Sequence, residues 1–444
     1  MNILFVVLLI CLEIALVILT AAKKDGKAIW RRNRAIARAI EFGLLLGIVL
    51  LPIIHMKWRY TGALILLGIL LLIAGLCWLI NRKKADGPVK TGKAIASAVL
   101  SVVMILFALT PAFLFTNYNG IPTTGEYEVR ECSAILTDES RTDPFETDGS
   151  PREVPVHFYY PDTEGSFPLV IFSHGAFGYY QSNYSTFAEL ASNGYIVASL
   201  DHPHHAFFTK DTDGKTVVAD FSFISDAVSL NEKSAEDAYA LFCEWMALRI
   251  PDMNFVIDTV KTAKNSGSLD DCWHTDEADT VLAVLGMTDV AHIGLMGHSM
   301  GGAAAVGVGR MRSDIDAVID LDGTMLSEIT GLENGKARYN DKPYPVPVLD
   351  FSKQSDYIDG EMICGEAGFE LVNDYEIGRA VDGKKMIFDH VGHLDFTDLP
   401  LFSPVLSRLL GSGDADKTEF ITQINSLVLN WFDCYLKNEG TLAS

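Results

Sequence analysis

Cysteine is scarce in this sequence: its 444 residues include seven, and none stands in a Cys-x-x-Cys pair or at zinc-ligand spacing. A disulfide scaffold and a metal ribbon are therefore excluded. Positive charge is also short, with 35 Lys and Arg against 57 Asp and Glu, a net charge of -22. A nucleic-acid partner is not expected, because neutralising phosphates needs a basic surface. The chain holds no internal repeat and no low-complexity tract. Aromatics at 10% and hydrophobic residues at 49% supply ample core material, which rules out a disordered chain.

The charge is divided unevenly. Residues 1–118 hold 14 Lys and Arg against 4 Asp and Glu, whereas the remainder holds 21 against 53. Four apolar runs fill the first part: 1–22, 42–56, 60–80 and 94–115. About 20 apolar residues cross the ~30 Å hydrocarbon layer as a helix. Three runs reach that length. The second does so only if Arg38 and Glu41 sit at an interface. Pro52 and Pro111 are tolerable in membrane helices. The expectation is a bundle of about four transmembrane helices over 1–118.

The first loop carries Lys23, Lys24, Lys27, Arg31, Arg32, Arg34 and Arg38, and the third carries Arg82, Lys83, Lys84, Lys90 and Lys93. The second has only Lys57 and Arg59. Basic loops stay cytoplasmic. The chain thus reads as a multi-pass protein of the cell membrane, with its acidic remainder on the extracytoplasmic side. Glu13 is the one charge deep in these runs, so the region reads as an anchor or interaction module rather than transport machinery.

Residues 119–127 are turn-rich and read as a linker to a domain over 128–444. There, strands are expected at 154–160, 167–173, 195–200, 290–296, 315–321, 346–351 and 385–388. Helices are expected at 182–192, at 234–264 with an interruption at Pro251, and from Met300. The continuous apolar run FPLVIFS suits a strand buried on both faces. Strands alternating with helices imply right-handed crossovers and a mostly parallel central sheet with helices on both faces, an α/β architecture.

The strongest motif is Gly297-His298-Ser299-Met300-Gly301-Gly302. It follows an apolar strand and opens an Ala/Gly-rich helix, the context of a nucleophile elbow in the α/β-hydrolase fold. Ser299 is the candidate nucleophile, projecting at a helix N-terminus that favours negative charge. A tetrahedral oxyanion needs donors. Ser173-His174-Gly175-Ala176-Phe177-Gly178 follows FPLVIFS, and the N–H groups of Ala176 and Met300 are assigned that role. The base must follow the nucleophile, and only His390 and His393 do. His393 is favoured, in the loop Val-Gly-His-Leu-Asp-Phe. Two acids remain open: Asp322, ending VIDLDG, and Asp356, after VPVLDFSKQSD. Asp320 points the same way as Asp322 but deeper.

His174, Phe177 and His202 are candidates for lining the substrate cleft. Phe207, Phe208, Phe221 and Phe223 could form an apolar lip. Asp201-His202-Pro203-His204-His205 invites a metal reading, but no matching ligand cluster accompanies it. Neither a metal nor a cofactor is expected. The expected partner is an ester or lipid substrate.

From about residue 125 to 435 the chain resembles the plasma-type (type II) platelet-activating-factor acetylhydrolases. The resemblance rests on HFYYP (157–161), FPLVIFSHGAFG (167–178), LASNGYIVASLDH (190–202), WMALRIPDMNFVIDTV (245–260), GHSMGG (297–302), LDG (321–323) and GHLDF (392–396). It implies cleavage of short or oxidised sn-2 acyl chains from phospholipids without calcium. It also implies that the acid is Asp322, since that family's acid lies in a Leu-Asp motif after the strand that follows the nucleophile helix. GHSMGG is also similar to bacterial cutinase-like polyester hydrolases, whose acid follows the later strand and would be Asp356. A lipase-like esterase, an acyltransferase using the same triad, and a non-catalytic membrane scaffold on a hydrolase fold are the alternatives.

Overall fold

Uncharged apolar sequence at the N-terminus forms helix, as its composition dictates. A computed structural model of the chain describes residues 2–23, 26–83, 87–355, 357–359, 362 and 370–440. It divides into two units, Met1–Gly120 with Pro400–Leu409, and Ile121–Leu399 with Leu410–Ser444.

The first unit contains helices α1 (Asn2–Lys23), α2 (Lys27–Val49), α3 (Thr61–Asn81), α4 (Thr91–Ala108) and α5 (Thr110–Leu114). Helix α1 packs on α4 and α2 on α3, around Phe5, Leu45, Tyr60, Leu67 and Ile105. Among the described residues, three stretches, Asn2–Ala21, Lys57–Asn81 and Thr91–Ala108, are long and apolar enough to cross a membrane. The expected run 94–115 is two helices, because Pro111 has no N–H to continue the ladder of α4 and instead sits in the first turn of α5.

Helix α2 corrects the sequence reading. Arg38 and Glu41 are not at an end of it. They lie mid-helix, 1% and 0% exposed. The guanidinium of Arg38 bonds the carboxylates of Glu13 on α1 and Glu41 on α2. It also donates to Ser101 Oγ on α4 at 2.7 Å. A charge buried among apolar helices is tolerable only when paired, and these partners gather three helices on one side chain. The segment Pro400–Leu409 completes this unit. Thr116 N donates to Phe402 O at 2.7 Å, Ser403 Oγ donates to Leu114 O at 2.9 Å, and the rings of Phe115 and Phe402 stack. No sequence feature pointed to that return of the chain.

The second unit is built on a nine-stranded sheet. Its strands are β1 (Val129–Thr142), β2 (Pro151–Pro161), β3 (Phe167–Ser173), β4 (Ile196–Leu200), β7 (Trp273–His274), β8 (Thr288–His298), β9 (Ala317–Leu321), β12 (Val348–Lys353) and β13 (Gly383–Phe388). The small hairpins β5 (Phe208–Lys210) with β6 (Thr216–Val218), and β10 (Ile329–Glu333) with β11 (Lys336–Tyr339), stand apart from it. The sheet order is β13-β12-β9-β8-β3-β4-β2-β1-β7. The run from β13 to β4 is parallel, and β2, β1 and β7 are antiparallel.

Strand β3 is buried throughout, with Leu169 and Ile171 in one core and Val170 and Phe172 in the other. Helices α7 (Phe221–Val228), α8 (Ala235–Ser266), α9 (Ala278–Met287) and α10 (Met300–Met311) lie on the first face. Helix α6 (Tyr184–Ser192) and the helix Lys417–Leu436 cover the second. Pro251 does not interrupt α8, which runs through it. Strand β1, unforeseen, is a charged, half-buried strand near the sheet edge that lacks an apolar run.

Replacing Arg38 with Met leaves Glu13 and Glu41 buried without their cation. We expect a loss of about 3–5 kcal/mol, read as a lowered thermal midpoint of the detergent-solubilised protein. Adding Glu13→Gln and Glu41→Gln should recover most of it. An unchanged midpoint for the single variant would contradict the pairing.

Candidate active site

Strand β8 ends at His298 and α10 begins at Met300, leaving Ser299 to make the turn alone. Its backbone is at φ 55°, ψ -123°. A non-glycine residue there costs about 1–3 kcal/mol and persists only where its surroundings enforce it. Enforcement comes from close backbone approach. A Cβ at Gly301 would lie 1.9 Å from Ser173 O, and one at Gly297 would lie 2.2 Å from the Gly301 carbonyl. Only glycine fits at either position. Ser299 N is tied to Leu321 O at 2.9 Å.

The neighbouring strand carries the candidate acid. β9 ends at Leu321, and Asp322 turns away at φ 53°. Its N–H donates to Phe351 O at 2.7 Å, and its Oδ1 accepts from Lys353 N at 2.8 Å. The free oxygen, Oδ2, meets Nδ1 of His393 at 2.6 Å. His393 opens a short turn, His393–Phe396, held from below by Asp395. The Asp395 carboxylate accepts from Gly392 N, Gly413 N and Lys417 Nζ. Asp395 was not singled out from the sequence, although it stands two residues beyond His393.

His298 was also missed as an organiser. Its Nε2 donates to His393 O at 3.1 Å, and a Cβ on Gly175 would lie 2.7 Å from its Nδ1. Burial, and then the nearby His393, pull its pKa down to about 3. Neutral His298 thus joins the end of β8, the histidine loop and the turn after β3.

That turn is the expected oxyanion loop. Gly175 comes so near Ser299 that an added Cβ would stand 3.2 Å from the serine Cβ. Among the described residues, the N–H groups of Ala176 and Met300 find no acceptor. Phe177, at φ 59°, donates its N–H to His205 O at 3.1 Å. Its ring packs on Phe223.

The other residues fall in different places. His174 and His202 are each 0% exposed and stand behind the loop, so the expectation that they line the cleft is corrected. His202 Nδ1 meets Asp252 Oδ2 at 2.9 Å, and its Nε2 meets Ser173 Oγ at 2.8 Å. That is a serine–histidine–acid geometry, yet Ser173 has no exposed surface from which to meet a substrate. His390 lies on the surface beside Asp414. Asp356 lies outside the described residues. His202, His204 and His205 turn to separate partners: Asp252, the ring of Phe145 and the ring of Phe223. Of the aromatic lip, Phe207, Phe208 and Phe221 are exposed, while Phe223 is buried on Trp245.

A family model for platelet-activating factor acetylhydrolase, isoform II, matches residues 155–437. The chain belongs to that family. Within the solved structures it is similar to a ferulic acid esterase from Streptomyces cinnamoneus, at 20% identity and a TM-score of 0.53. The match covers 73% of this chain and 95% of that one. This likeness shows the α/β-hydrolase fold. Family membership makes the chain an ester hydrolase in general.

Substituting Gly301 with Ala puts a methyl group into the Ser173 carbonyl. We expect the midpoint of unfolding to fall and esterase activity to collapse. Gly286→Ala, with open space around it, should leave both unchanged. Equal behaviour of the two variants would refute the packing argument.

Proposed function

We propose that this chain is a membrane-anchored serine carboxylic-ester hydrolase resembling platelet-activating-factor acetylhydrolase, with Ser299 as nucleophile, His393 as base and Asp322 as acid. The observation that carries the reading is the 2.6 Å contact of His393 Nδ1 with Asp322 Oδ2, next to a serine held in a strained turn. In the neutral imidazole this contact places the proton on Nδ1, so that Nε2 is the nitrogen able to accept a proton. As Ser299 Oγ attacks the ester carbonyl, its proton passes to Nε2. Asp322 fixes the tautomer and stabilises the imidazolium. The carbonyl oxygen becomes an oxyanion that accepts from Ala176 N and Met300 N. His393 then protonates the departing alcohol, leaving an acyl-serine. Water, deprotonated by His393, attacks that acyl group and releases the acid and free Ser299.

Tethering by the N-terminal helices puts the cleft within reach of a bilayer. A domain carrying 53 acidic against 21 basic residues is repelled by anionic surfaces. Short-chain soluble esters and neutral or zwitterionic lipids, including phospholipid sn-2 esters, fit that balance.

The test is hydrolysis of p-nitrophenyl esters from acetyl to dodecanoyl by the full chain in detergent. We expect a maximum at short acyl groups. Ser299→Ala should lower kcat by at least about 10⁴-fold and Asp322→Asn by about 10⁴-fold. Activity that survives Ser299→Ala would sink the assignment.

With four spans, the basic stretches 23–34 and 82–93 fall on the same side of the membrane and support an extracytoplasmic hydrolase domain. Cys243 on α8 is exposed, so a membrane-impermeant maleimide added to intact cells should label it. Labelling only after lysis would reverse the orientation.

A further inference from the structure

Behind the oxyanion loop lies a fully buried cation that the triad does not use. Arg249, on α8, is 0% exposed. Its Nη1 donates to His174 O, and its Nη2 reaches Gly175 O at 3.4 Å. Its Nε donates to Nδ1 of His205 at 3.3 Å. None of these acceptors is a carboxylate. Asp252, one turn further along α8, is taken up by Arg141, Arg152 and His202. Burying a guanidinium against two main-chain carbonyls is costly, and here both belong to the turn that runs beside Ser299.

The second donor on that turn is His174. Its Nε2 accepts from His202 N at 3.2 Å, so its proton is on Nδ1, which donates to Gly175 O at 2.6 Å. Burial and the adjacent Arg249 charge hold the His174 pKa well below its ordinary value, which keeps this tautomer neutral. Gly178 N adds a further bond to Gly175 O at 3.1 Å. The carbonyl of Gly175 shares its peptide group with the N–H of Ala176. In a trans peptide the two point in opposite directions. Drawing Gly175 O inward to Arg249 and His174 therefore turns the Ala176 N–H outward. Hydrogen bonds to the carbonyl also polarise the N–H at the other end of the same unit.

We infer that Arg249 is a positioning residue for ester cleavage: with His174 it orients and polarises the Gly175–Ala176 peptide, so that Ala176 N–H is a stronger donor to the oxyanion. The inference rests on the serine-hydrolase reading above. It assigns Arg249 no contact with substrate. Its effect belongs to the transition state, because the full negative charge exists only there. Removing a whole oxyanion donor costs about 10²–10³ in kcat, and weakening one costs less.

The test compares Arg249→Met, Arg249→Lys and wild type, as full chains in detergent, on p-nitrophenyl butyrate. An aryl trifluoromethyl ketone is added as an inhibitor whose hemiketal oxyanion occupies the hole. We expect Arg249→Met to lower kcat by about 10–100-fold with KM within about 3-fold. Its affinity for the ketone should fall in parallel with kcat. Arg249→Lys keeps the charge, loses the fork and should fall between. It also carries the test if the Met variant does not fold. A folded variant with wild-type kcat overturns the inference. So does one in which KM alone rises, or in which kcat falls while ketone affinity stays. A wild-type chain that cleaves no ester and whose Ser299 does not react with a fluorophosphonate overturns the serine-hydrolase reading, and this inference with it.

Discussion

The carbonyl oxygen of Ser173 occupies the space that any side chain at position 301 would need. Most of the site follows from that approach. Because Gly301 lets α10 lie against the end of β3, the turn at Ser299 must close in a single residue, and its backbone is forced to positive φ. Because β3 and β8 are adjacent and parallel, the turn leaving β3 runs directly over that serine. Gly175 then has to be glycine for the same steric reason, facing His298 and Ser299. One close contact between two strand ends thus sets the conformation of the candidate nucleophile and brings the candidate donor loop beside it. The strain in the turn is repaid by packing over both faces of the sheet, where β3 is wholly buried and the Ala/Gly-rich α10 is buried from Met300 to Gly309.

Buried charge organises both units, by different means. In the hydrolase unit Asp252 is 0% exposed and meets Arg141, Arg152 and His202. Burial alone would raise its pKa, but Arg152 and His202 hold it well below the ordinary carboxylate range. A firmly ionised Asp252 is what allows two fully buried arginines, Arg152 and Arg249, on the same side of the sheet. In the helical unit one arginine meets two carboxylates and a hydroxyl. Neither cluster makes a large net contribution to stability, since desolvation offsets attraction. What each supplies is register: α8 against β1, β2 and the turn after β4 in one case, α1 and α4 against α2 in the other.

How much was legible follows the same physics. The continuous apolar strand Phe167–Ser173 was found to the residue, because burial on both faces leaves an unmistakable run. The Ser299 turn was legible because a one-residue strand-to-helix reversal demands glycine at fixed offsets. Strand β1 was not, since a half-buried, charged strand lacks that run. Arg38 was misplaced because hydropathy weighs each residue alone, whereas its burial depends on Glu13, 25 positions away. His174 and His202 were assigned to the cleft because they adjoin it in sequence. Their hydrogen bonds to Gly175, Ser173 and Asp252 turn them to the protein side. Arg249 and Asp395 lie inside segments that carry the family resemblance, yet nothing singled either out, since a residue that acts through main-chain atoms shows no spacing of its own.

The choice between Asp320 and Asp322 shows how two residues on one strand end can differ in kind. Asp320 is wedged between Gly302 and Gly323 without exposure. Burial, and then its neighbours Asp350 and Asp322, push its pKa well up. A carboxyl held neutral cannot stabilise an imidazolium. Asp322 leaves the strand at positive φ, which turns its side chain away from Asp320 and towards His393. Lys353 N then fixes one oxygen and leaves the other for His393. The backbone turn at Asp322 is thus a condition for its chemistry, just as the turn at Ser299 is for the serine. Both candidate catalytic side chains owe their positions to strained residues at adjacent strand ends, where the parallel sheet leaves its upper edge open.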